Sequence, residues 1–72
     1  MVDSQLDLGR DAARRFVGKL SLKELLDEYE QASHMVGYNS DKGRRDSLDW
    51  WCGHRDEIRR EVDSRIWGRL ND

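Results

Sequence analysis

The stretch Ser21-Leu22-Lys23-Glu24-Leu25-Leu26-Asp27-Glu28-Tyr29-Glu30-Gln31-Ala32-Ser33-His34-Met35-Val36-Gly37 decides the fold. It opens on a serine with glutamate three residues later, the pattern in which each side chain accepts from the other's backbone N–H at a helix N-terminus. Leu22, Leu25, Leu26, Tyr29, Ala32, Ser33 and Val36 then recur three and four residues apart, one stripe at about 100° per residue. A strand would alternate, and nothing here does. The spacing predicts a helix over 22–36, closed by Gly37.

Working outward, residues Gly37 to Gly43 collect Tyr, Asn, Ser, Asp and Lys between two glycines and are expected to form a surface loop. A third helix follows over 44–67, with Leu48, Trp51, Cys52, Ile58, Val62, Ile66 and Leu70 on one face. On the other side, Ser4 with Asp7 three residues on marks the start of a first helix over 5–17, and Gly18 is its natural stop. Its stripe is Leu6, Gly9, Ala13, Phe16, Val17 and Leu20; Gly9 weakens the helix unless another backbone packs against it. The chain therefore reads as one all-α domain over 1–72. The expected arrangement is an antiparallel hairpin of helices 2 and 3 around Leu22, Leu25, Leu26, Tyr29, Val36, Leu48, Trp51, Ile58, Val62 and Ile66, with helix 1 covering one side through Phe16 and Leu20.

Composition narrows the function. Seventy-two residues, 39% charged and 36% apolar, give a core of at most about 3–5 kcal/mol net stability. A deep catalytic cleft does not fit, and a partner protein or a second copy, as a homodimer, is the expected source of further burial. The net charge of −2 offers no bulk attraction to phosphate backbones or anionic membranes. Cys52 is the one cysteine, so no intrachain disulfide forms. No apolar run approaches a signal-peptide core or a membrane span, so a cytoplasmic location is expected, and the length from Met1 to Asp72 suits a stand-alone gene product.

Several residues call for a partner. Arg55 and Arg59 project into the middle of the helix-3 stripe, where a guanidinium must be paired, snorkelled to the edge or kept free for a ligand. Glu24, Asp27, Glu28 and Glu30 of helix 2 would give an ordinary interhelical salt bridge; the alternative is an acidic or phosphorylated ligand. Trp50 is rotated about 100° from Trp51, and its options are cover from helix 1, a second copy or another protein, or plain partial exposure. Together with Met35 and Tyr38 it forms a candidate interface patch.

Lys42, Arg44 and Arg45, followed by His54, Arg55, Arg59 and Arg60, make the case for nucleic acid, though Asp46, Asp49, Asp56 and Glu57 interrupt the cluster. A helix-turn-helix would make helix 2 the reader, and residues 21–40 carry one lysine against four carboxylates. Cys52 and His54 diverge by about 200° on a helix, and with His34 they lack metal-ligand spacing, so no metal or cofactor is expected. The histidines are expected as surface polar groups. The Cys52–His54 pair lacks an orienting third group, so no enzyme is expected.

The expected function is a small non-enzymatic protein-binding module that inhibits or regulates a larger protein, as phage and mobile-element inhibitors such as anti-CRISPR proteins do. The competing expectation is a dimeric nucleic-acid-binding transcriptional regulator using Lys42, Arg44, Arg45 and Arg60.

Overall fold

The computed structural model describes residues 4–70, which form three α-helices and no strand. The helices are α1 (Gln5–Arg14), α2 (Leu22–Asp41) and α3 (Arg45–Leu70), with a 3-10 turn, Val17–Lys19, between α1 and α2. Both α1 and α2 pack on α3 and scarcely touch each other, so α3 is the element on which the domain is assembled. Its 26 residues reach about 39 Å at 1.5 Å per residue, close to the molecule's longest dimension of 43 Å.

Local chemistry sets the starts of the first two helices. Ser4 Oγ accepts from Asp7 N at 3.2 Å and begins α1. At α2 the capping box is complete, with Glu24 N donating to Ser21 Oγ at 3.2 Å and Ser21 N donating to Glu24 Oε1 at 2.9 Å. These bonds hold the Glu24 carboxyl below the usual carboxylate range.

Where the helices end departs from expectation. The first helix stops at Arg14 rather than at residue 17, and Gly18 lies inside the 3-10 turn instead of serving as a helix stop. Arg65 of α3 supports that turn, its guanidinium donating to the Leu20 carbonyl and, at 2.9 Å, to the Val17 carbonyl while Nε holds Glu61 at 3.1 Å. The second helix runs through Gly37 to Asp41. A helical glycine costs only about 1 kcal/mol, and beyond it the buried Asn39 donates from Nδ2 to the Met35 carbonyl at 2.7 Å. The stop is Gly43, with φ of +68°, where Gly43 N reaches Ser40 O at 3.2 Å and Arg44 N reaches Asn39 O at 3.0 Å. That paired closure is a Schellman motif, so the expected seven-residue loop shrinks to Lys42–Arg44. The third helix covers 45–70, slightly longer than expected.

The core consists of Ala13, Val17, Leu25, Ala32, Ile58 and Val62, with Phe16, Leu20, Leu22, Tyr29 and Trp51 packed against it. Leu26 and Ile66, expected inside, are 48% and 43% exposed. The reason is the position of α1. Because it lies on α3 and not on α2, α2 buries only Leu25, Ala32 and Asn39, a seam repeating every seven residues, and Leu26 stays on its shoulder.

Gly43→Ala should lower stability by about 1 kcal/mol, because an L side chain is strained at positive φ. Gly37→Ala should raise it by about 0.5–1 kcal/mol, since nothing lies within 4 Å of the added Cβ. Urea melts of the two variants should shift in opposite directions.

Candidate interaction surfaces

Two backbones come into direct contact where α1 crosses α3. A Cβ on Gly9 would collide with the Trp50 carbonyl oxygen and stand 2.8 Å from its carbon and 3.0 Å from His54 N. A Cβ on Gly53 would collide with the Leu6 carbonyl in the same way, 3.1 Å from the Leu6 Cα. The two glycines thus let two backbones meet, which is the condition that the Gly9 stripe set. Gly53 was not singled out by sequence reasoning, although a second glycine in the middle of a helix was the available signal.

His54 lies beneath this crossing and is not the surface residue expected. It is 6% exposed, and Nδ1–H donates to the Gly9 carbonyl at 3.2 Å. Its ring stacks on Trp50 at 4.7 Å and 17°, with Trp51 edge-on at 5.4 Å and Phe16 tilted at 5.5 Å. Burial pushes its pKa down, partly opposed by the Gly9 carbonyl and the charge of Glu28. Trp50 therefore finds much of its cover within the chain and is half-buried.

The ion pairs run opposite to expectation. No described carboxylate of α2 pairs with Arg55 or Arg59; the links between helices instead join arginines of α1 to carboxylates of α3. Arg14 Nε meets Glu57 Oε1 at 3.1 Å, and Arg10 meets Asp56 at 3.8 Å. Arg55 is half-buried and makes no ion pair with a described residue. Arg59 lies on the surface rather than in the seam, 3.8 Å from Asp63 on its own helix. Arg60 faces Glu57 at 3.9 Å. Fifteen residues of helix, roughly 22 Å, separate Arg60 from Arg45.

Among the described residues, two exposed surfaces combine aromatic or apolar side chains with charge. At the end of α2, Tyr38 is 43% exposed, with Lys42 Nζ and Arg44 Cζ each 5.9 Å from its ring centre; Arg45 is exposed nearby in sequence, and Met35 is half-buried one turn back. About 18 Å back along α2, Leu26 and Tyr29 line a shallow groove of about 280 Å³ with Arg59, Val62 and Asp63 of α3. A second depression is lined by the polar residues Asp27, Glu30, Gln31 and His34.

Among the described residues no cluster of three or more His, Cys, Asp and Glu could hold a metal ion, and no helix is long and apolar enough to cross a membrane. Compared with protein families, curated proteins and solved structures, the chain matches none.

Acid should loosen the α1–α3 crossing. The His54 pKa in the folded state lies below its unfolded value of about 6.5, so the unfolded chain binds the proton first. Stability is full above that pH and falls as pH drops from it towards the depressed folded value. Urea melts between pH 7 and pH 5 should show the loss, and His54→Phe should flatten it.

Proposed function

We propose that this chain is a small non-enzymatic protein-binding module that regulates or inhibits a larger protein, docking through the end where α2 passes into α3. The observation that carries it is Tyr38, exposed on a helix and flanked by Lys42 and Arg44. An aromatic ring of this kind supplies affinity at interface centres, and neighbouring cations match an acidic partner surface. Met35 extends the apolar part of the patch. In this arrangement α2 and α3 form an antiparallel hairpin that presents Tyr38 near its tip. Support comes from the three-residue connection and from Leu26 and Tyr29 sharing a groove with Arg59 and Val62. Trp50, stacked on His54, stiffens the base of this end instead of anchoring the partner.

A non-catalytic role is favoured by the side chains with reactive chemistry. The His54 ring is enclosed by Trp50, Trp51 and Phe16 rather than facing a cleft. A nucleic-acid partner would use the same cations, but Asp41, Asp46 and Asp49 are exposed close by in sequence and oppose phosphate.

A photo-crosslinking amino acid at Asp41, one turn beyond Tyr38, tests the proposal in the source cell. The expected product is a discrete protein adduct. Tyr38→Ala should weaken binding of that protein by about 2 kcal/mol, roughly thirtyfold. Adducts to nucleic acid, or a protein adduct indifferent to Tyr38→Ala, would overturn the assignment.

A further inference from the structure

We propose that two copies of the chain pair through the groove between α2 and the C-terminal half of α3, as a two-fold dimer in which Arg59 of each copy meets Asp63 of the other. Leu26, which lines the groove, is 48% exposed; further along α3, Ile66, Trp67 and Leu70 are 43%, 68% and 74% exposed. Tyr29 and Val62 form the floor with Leu26.

The chain exposes 5364 Å², whereas a compact protein of 8.5 kDa exposes about 4,700 Å². The excess goes with elongation along the 26-residue α3: the radius of gyration is 13.0 Å, against about 11 Å for a compact chain of this length.

The charges select a second copy over an unrelated partner. Arg59 and Asp63 stand one turn apart at the groove, 67% and 68% exposed, and touch only loosely at 3.8 Å. An acidic or basic partner would satisfy one and repel the other. A copy rotated by 180° satisfies both, because a two-fold interface sets residue i against j and j against i. Pairing here leaves the Tyr38 end, about 18 Å away along α2, open on both copies. The dimer would then be divalent for its partner.

Sedimentation equilibrium of the full chain at low salt, from micromolar to millimolar concentration, tests the proposal. The expected particle has twice the 8.5 kDa chain mass. Arg59→Asp and Asp63→Arg should each raise the dimer dissociation constant about tenfold or more, since each sets like charges face to face. The double variant Arg59→Asp/Asp63→Arg should restore pairing; because the same swap also restores the intrahelical pair, urea melts of the single variants at monomer concentration should match the parent's, which separates lost pairing from lost folding. A monomer at every concentration, or a dimer indifferent to the single reversals, would overturn it. Tyr38→Ala should leave the dimer intact, so failure of the dimer and failure of the Tyr38 surface read out separately.

Discussion

Two helix backbones meet directly where Gly9 of α1 faces Trp50 and His54, and Gly53 of α3 faces Leu6. A helix of ten residues is marginal in isolation, and this approach gives α1 a continuous partner. His54 then fits beneath the crossing with its ring against Trp50 and its Nδ1–H on the Gly9 carbonyl. Further along, Arg10 and Arg14 reach Asp56 and Glu57, and Ala13 and Val17 join the core. Each of these contacts depends on the helices being as close as only glycine allows.

The same constraint shapes what stays exposed. With α1 committed to α3, nothing among the described residues covers the shoulder of α2, where Leu26 lies open beside Val62, and Ile66 is exposed one turn further along α3. A small domain with so much apolar surface uncovered is suited to association. Its two open surfaces differ in chemistry: the groove carries a self-matching cation and carboxylate, while the Tyr38 end carries cations around an aromatic ring. Separate surfaces allow self-pairing and capture of another protein to coexist.

What was legible in the sequence was local. The Ser21–Glu24 box, the Ser4 cap and the three helical stripes depend on neighbours within four residues, and the odd glycine at position 9 pointed to a backbone contact. What was hidden depended on which faces acquire partners. Periodicity placed Leu26 and Leu25 in one stripe but could not say that α1 would leave α2 uncovered. It set Arg59 in the seam, yet the buried line of α3 runs through Ile58 and Val62 and turns Arg59 outward. Gly37 and Gly43 are both plausible helix stops by composition; the choice fell to Gly43, where the positive φ and the Asn39 and Ser40 carbonyls close the helix. The charge pattern suggested α2 carboxylates for α3 arginines, and the signs were reversed because α1 took the adjacent place on α3.

The most direct test of the crossing is the urea melt of Gly53→Ala. Alanine in a helix interior ordinarily stabilises by about 1 kcal/mol relative to glycine. Here its Cβ would enter the Leu6 carbonyl, and overpacking of that kind is predicted to lower stability by about 2 kcal/mol or more. A variant as stable as the parent, or more stable, would contradict the account.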